Sequence, residues 1–356
     1  MTENPQSLKV SLEDLAEVAN SEPDKVSVQA QPASLSPAGK SYGNVNTAPD
    51  VPAIAQEKGS ILLQGWFYLG VAGTLGSLAG WGIAEPGFVD GPRNGSHWGD
   101  VLMVPLVVTL MCVGFAVAES IVERSTRKAL IRGGLALPLG MVLGFLIANL
   151  ANVFYSVGLS ICRAAGVLTF HNPATWIVRG LAWMVLGAAG GIIYGIIGQS
   201  MKKTGYGALG GAIGALLGGT VFDPISFATH GGAASRAVGF GLLGMATGIA
   251  IGLVESALKD RWLHVTAGPL AGKQFILYKP RTVVGSAQSS DIYLFKDPDV
   301  LPVHAVLELK GSKIYLVPSG PVFISGQPMR GPRVIETGTT VQIGRYGFRY
   351  QERHRG

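Results

Sequence analysis

The residues able to do chemistry are few and scattered. Cys112 and Cys162 each lie in an apolar stretch, with no second ligand at metal spacing and no disulfide framework. They read as buried thiols. His97, His171 and His230 fall in separate loops and give no ligand cluster of the kind a zinc site needs. No Ser/His/Asp set and no phosphate-cradling loop occurs, so the chain is not expected to be an enzyme or to hold a cofactor or metal. Charge within the apolar stretches is confined to their ends: Glu119 and Glu255 on one side, Arg179 and Asp223 on the other, the latter two placed to pair. Asn149 and Asn152 stand one turn apart and share a helix face. They read as groups that bond across helices. Without a buried carboxylate relay an ion-coupled pump is not expected. A passive channel stays open, although Asn149, Asn152 and Tyr155 would be its sole polar lining.

The elements that must position these residues are apolar helices. Of 356 residues, 48% are hydrophobic, 14% are charged and 51 are glycine, whereas soluble domains carry about 25% charge. Six stretches meet the roughly 20 residues needed to cross a bilayer: Ser60–Gly82, Val101–Val122, Gly133–Val157, Trp176–Gln199, Gly205–Phe222 and Ser235–Ser256. The fifth is the shortest and richest in glycine. Basic residues gather in alternate loops, Arg124, Arg127, Lys128 and Arg132 in one, Lys202 and Lys203 in another, and Lys259 and Arg261 after the last span. The positive-inside rule then puts both termini in the cytoplasm of a multi-pass inner-membrane protein. Glycine recurs every fourth residue (Gly140/Gly144; Gly187/Gly191/Gly195; Gly210/Gly214/Gly218; Gly244/Gly248/Gly252). Such faces let helices approach closely, within one chain or between the chains of a homo-oligomer.

On either side of the spans the texture changes. Residues 1–58 are polar, with eight acidic and four basic residues, and are expected to be a disordered cytoplasmic tail. No apolar segment comes near Met1, so no cleavable signal peptide is expected. Residues 59–258 form the helical domain. From Trp262 short alternating runs follow: Trp262–Thr266, Gln274–Lys279, Thr282–Val284, Asp291–Leu294, Ala305–Leu309, Lys313–Val317, Val341–Gly344 and Phe348–Gln351. Short strands separated by turn signals predict an all-β sandwich over 262–352. The fold class is thus an α-helical membrane bundle followed by an all-β sandwich. Its basic surface lacks the aromatic platform of single-strand readers, so nucleic acid is not an expected partner.

Several motifs in this last quarter resemble the forkhead-associated (FHA) family. Thr282 to Leu294 (TVVGSAQSSDIYL) is similar to its signature strand, loop and Asp-Ile-x-Leu. Asp297 to Ala305 (DPDVLPVHA) is similar to its Ser-Arg-x-His-Ala element, Phe323 to Met329 to its Asn-Gly turn, and Val334 to Phe348 to its closing pattern. The whole chain also resembles bacterial multi-span proteins with a cytoplasmic FHA domain. The resemblance implies a protein-interaction module that reads phosphothreonine through loops at one end of the sandwich. The positions it implies are Gly285, Ser286, Ser289, Ser290, His304, Ser325 and Gly326. This chain departs from the pattern where phosphate would be held: Ser286 replaces the pocket Arg, Leu301 the pocket Ser, and Ser325 the turn Asn. Lys296, Arg330 and Arg333 are candidate replacements for the missing charge. Both a phosphothreonine partner and a phosphate-independent docking surface therefore stay open. Thr47-Ala48-Pro49-Asp50 offers a phosphorylatable Thr in the chain's own tail. The expected function is a membrane-anchored adaptor, with a channel or transporter regulated by the FHA-like domain as the alternative.

Overall fold

The computed structural model describes residues 60–89, 97–169, 171–228 and 232–353. The expected disordered tail, Thr47 and His230 lie outside them. After a short 3-10 turn at Ile61–Leu63, six helices follow: α1 Gly65–Ala84, α2 Trp98–Val122, α3 Thr126–Ala164, α4 Pro173–Ile197, α5 Met201–Ala228 and α6 Gly232–Leu258. All six are long and apolar enough to cross a membrane. The fifth stretch is a full 28-residue helix.

Local chemistry sets several helix starts. His97 N–H donates to Asp100 Oδ2 at 2.9 Å as α2 begins. Ser125 caps α3 by accepting from the Lys128 N–H. Asn172 caps α4 at 3.0 Å, with Pro173 in the first turn, where its missing N–H costs nothing. The third helix runs 39 residues, well beyond the expected Gly133–Val157. Its cap, Ser125, lies within the basic cluster, and its end comes just before Gly166, which adopts a left-handed φ of +70°.

Each helix packs on its neighbours in the chain, and α6 closes on α1. The glycine ladders make this closure. A Cβ on Gly187 or Gly191 would strike the backbone carbonyl of Gly211 or Gly207, so α4 and α5 touch backbone to backbone. Gly210 and Gly214 lie in the same way on α6, while Gly244 and Gly248 lie on α1. The Gly140/Gly144 pair rests on α2 at Thr109 and Pro105. These faces are used within one chain, one of the two alternatives that the sequence leaves open. The reading of Asn149 is corrected. The residue points away from the bundle and its amide donates to Phe145 O of its own helix at 2.8 Å. Asn152 is likewise exposed, so neither residue lines a path through the bundle.

Two residues after α6 the chain enters a sandwich of eleven strands. These are β1 Arg261–Ala267, β2 Gln274–Ile276, β3 Arg281–Gly285, β4 Ile292–Tyr293, β5 Ala305–Lys310, β6 Lys313–Pro318, β7 Val322–Ile324, β8 Gln327–Pro328, β9 Arg333–Ile335, β10 Thr340–Ile343 and β11 Tyr346–Glu352. One sheet has the order β2-β1-β11-β10-β7-β8 and the other β4-β3-β5-β6-β9. Strands β7, β8 and β9 have two or three residues each, too short for period-two alternation to register. Leu263, Val265, Leu307, Leu316, Val341, Ile343, Phe348 and Tyr350 fill the space between the sheets.

Candidate functional site

The loops β3–β4, β4–β5 and β6–β7 gather at one end of the sandwich, and Gly285 and His304 hold them there. A Cβ on Gly285 would run into the Pro302 carbonyl, so only glycine lets β3 meet the β4–β5 loop. His304 is fully buried. Its Nδ1 accepts from Leu301 N–H at 3.0 Å, so Nε2 carries the proton that it donates to Pro321 O at 2.8 Å. Its carbonyl accepts from the N–H groups of Ser319 and Gly320. One imidazole therefore ties two of the three loops together. Asp291 does the same for β3, accepting from Val283 N–H at 2.9 Å and pairing with Lys279 at 2.9 Å.

The hydroxyls that the resemblance offers to phosphate are mostly spent. Ser286 Oγ donates to Val300 O at 2.7 Å, and Ser290 Oγ, which is buried, to Pro302 O at 3.1 Å. Ser289 alone of the three is exposed. Ser325 and Gly326 have φ of +50° and +81° and form the two-residue turn between β7 and β8. Positive φ at both central residues is the hairpin geometry that Asn-Gly serves best. Leu301 and Val303 stand 44% and 45% exposed, with Pro302 exposed between them. The site thus brings Gly285, Ser286, Ser290 and His304 together as architecture. It presents an apolar tripeptide where the resemblance implies a hydroxyl.

A second arrangement was not legible from sequence. The domain meets the α1–α6 bundle through the flank that bears β2 and β4. Lys273, in the β1–β2 loop, pairs with Glu123 in the α2–α3 turn at 2.9 Å, and both side chains are 3% exposed or less. Lys128 also reaches Glu123, at 3.3 Å, and donates to Asp291 O. Tyr278 donates to Glu255 of α6 at 2.9 Å, and Tyr194 of α4 donates to the same carboxylate at 3.3 Å. Burial, then the Glu255 charge, pushes the Tyr278 phenol well above its usual range, so it stays a donor. Glu119 accepts from Arg132 and Lys203, each at 3.0 Å. Glu119, Glu123, Arg132, Lys203, Glu255 and Tyr278 help to line a cavity of about 130 Å³ shared by bundle and sandwich. At the far end of the bundle Arg179 pairs with Asp223 at 3.0 Å, as expected.

The β3–β4 loop itself touches the bundle. The backbone N–H of Arg127 donates to Gln288 Oε1 at 3.4 Å, and Ser125 Oγ reaches Gln288 O at 3.5 Å. The Arg124 guanidinium lies 5.5 Å from the Phe295 ring centroid. No group of His, Cys, Asp and Glu able to hold a metal occurs among the described residues.

Comparison with known proteins agrees with this architecture. Residues 264–354 match the family described as inner membrane component of T3SS, cytoplasmic domain. The oxoglutarate dehydrogenase inhibitor of Corynebacterium efficiens is 33% identical over 87 residues, which cover 24% of this chain and 60% of that protein. The glycogen accumulation regulator GarA of Mycolicibacterium smegmatis is 34% identical over 87 residues, or 24% and 54%. The chain thus spans less than two thirds of the length of these relatives. Among solved structures, the FHA domain of CT664 from Chlamydia trachomatis is 22% identical with a TM-score of 0.25, covering 27% of this chain and all of that one. The cytoplasmic domain of the T3SS sorting platform protein PscD from P. aeruginosa is 19% identical with a TM-score of 0.25, covering 27% and 83%. From its signature residues, its two-sheet topology and its family match, the C-terminal sandwich of this chain is a forkhead-associated domain.

Proposed function

We propose that this protein is a membrane-anchored adaptor that presents its FHA domain to protein partners at the cytoplasmic face, through a docking surface that does not require phosphate. The observation that carries the reading is the loop end of the sandwich. Of the Ser286, Ser289 and Ser290 hydroxyls, two are bonded to backbone carbonyls, and Leu301, Pro302 and Val303 stand exposed beside them. Phosphate needs charge-assisted donors, each worth about 1.5–3 kcal/mol, and the position of the pocket Arg is occupied by Ser286. An exposed aliphatic tip instead suits an apolar anchor on a partner.

Two further features support the membrane setting. The six helices have the length and composition of spans. Arg124, Arg127, Lys128, Lys202, Lys203 and Lys259 lie at the end of the bundle that meets the FHA domain, the cytoplasmic end by the positive-inside rule. The names of the similar proteins, a T3SS inner membrane component and two metabolic regulators, fit a module that acts by binding other proteins.

The test uses the full chain in lipid nanodiscs, titrated with a phosphothreonine peptide library and the matching unphosphorylated peptides. The adaptor reading expects unphosphorylated peptides to bind, and that binding to be lost in Leu301→Asp. Binding that needs phosphate and survives Leu301→Asp would replace it with a phosphothreonine reader.

A further inference from the structure

The bundle contributes two arginines to the loop end of the FHA domain, and together they outline a site that neither part has alone. Arg127 is exposed and its backbone holds Gln288 of the β3–β4 loop. Arg124 is exposed and its guanidinium faces Phe295 of the β4–β5 loop. Lys296, the next residue, is exposed as well. None of these three cations makes an ion pair among the described residues, whereas Lys128, Arg132, Lys203, Lys273 and Lys279 around them all do. Arg124 and Lys296 both have left-handed φ, +55° and +58°. That conformation is costly without glycine, and both residues are exposed. The same loops carry exposed Ser289 and exposed Leu301–Val303, and Ser290 and Ala287 bond to Pro302 to join them. The exposed carboxylate of these loops is Asp299, three residues beyond Lys296.

We infer that Arg124 of the α2–α3 turn and Arg127 of the first turn of α3, with Lys296, form a composite anion site beside the Leu301–Val303 tip, and that its ligand is an acidic peptide segment of a partner protein that also carries an aliphatic anchor. This inference rests on the adaptor reading and names the partner's chemistry. Charge complementarity selects the occupant: three unpaired cations meet the anionic side chains while the tip takes the apolar one. The guanidinium absent at position 286 is supplied from outside the sandwich, by the helical domain on which it lies.

The experiment compares three versions of one leucine-anchored peptide, with glutamate, phosphothreonine or glutamine beside the anchor, bound to the full chain in nanodiscs. The glutamate and phosphothreonine forms are expected to bind more tightly than the glutamine form. Arg124→Gln, Arg127→Gln and Lys296→Gln should each weaken them about three- to fivefold, the scale of an exposed ion pair, and leave the glutamine form unchanged. Arg333→Gln, on β9, should change nothing. If the three variants have no effect while Leu301→Asp abolishes binding, the composite site is wrong and the docking reading stands. If the glutamine form binds as well as the others, or no form binds, the site is overturned. A preference that vanishes when the discs contain anionic lipid assigns the arginines to the membrane surface and also overturns it.

Discussion

Glu123→Gln is the substitution by which the seam between bundle and FHA domain is most directly tested. It neutralises a carboxylate that holds Lys273 at 2.9 Å and Lys128 at 3.3 Å. Lys128 keeps some access to water, with 12% of its side chain exposed, whereas Lys273 has 2%. The nearby Glu119 is already engaged by Arg132 and Lys203. The variant therefore leaves an ammonium buried with no anion in contact, a change that costs about 3–5 kcal/mol. Lys273→Met should cost less, because Glu123 keeps Lys128 and the methionine can rest on the Phe275 ring, which the ammonium now faces at 4.7 Å. The double variant Glu123→Gln/Lys273→Met removes both charges and should recover about 2 kcal/mol relative to the sum of the single changes. Thermal unfolding of the detergent-solubilised chain gives the three values. Tryptic cleavage after Lys259, in the elbow between α6 and β1, reports whether the domain has come loose. A cost below about 1 kcal/mol for Glu123→Gln, with no coupling to Lys273, would refute the claim that this ion pair fastens the two parts.

Three other outcomes follow from single features. Gly191→Ala should destabilise the bundle by about 1–3 kcal/mol, because the new Cβ meets the Gly207 carbonyl and α4 must part from α5; thermal unfolding in detergent measures it. His264 is held below the ordinary histidine pKa of 6.5, first by burial and then by Arg349 and Lys259. The folded form then binds fewer protons than the unfolded form, so stability is full above pH 6.5 and declines as the pH falls through and below it; melts at pH 7.5 and 5.5 should show the decline, and His264→Gln should reduce it. Ser286→Arg/Leu301→Ser should make peptide binding require phosphate where the parent does not require it, read by titration with phosphorylated and unphosphorylated peptides; equal binding of both would show that the missing donors are not what prevents phosphate recognition.

Much of the fold was legible because its signals are strong and local. Apolar stretches of about twenty residues admit few alternatives, and the glycine spacing named the faces that pack. The third helix outran its expected bounds because helix ends are set by caps such as Ser125, which hydropathy does not see. The site was legible in position rather than in role. Gly285 and His304 stand where the family motifs put them, yet the spent hydroxyls of Ser286 and Ser290 depend on carbonyls contributed by a loop some twelve to fourteen residues away. The seam was silent in the sequence. Lys273 and Glu123 are 150 residues apart, and nothing near either one marks it as half of a buried pair. Asn149 shows the opposite failure: a polar residue in an apolar run invited an inward reading, and the helix it sits on is the peripheral one.

The elbow between α6 and β1 is two residues long, Lys259 and Asp260. A domain on a long tether sweeps a large volume and finds distant partners. Here the link is short and the flank of the domain is fastened, so its capture radius is close to its own size. In the adaptor proposed above, encounter would then be supplied by the partner, either by diffusing in the plane of the membrane or by being brought to it. Every copy would meet that partner at one height and one angle. Lengthening the elbow would trade that shared orientation for reach.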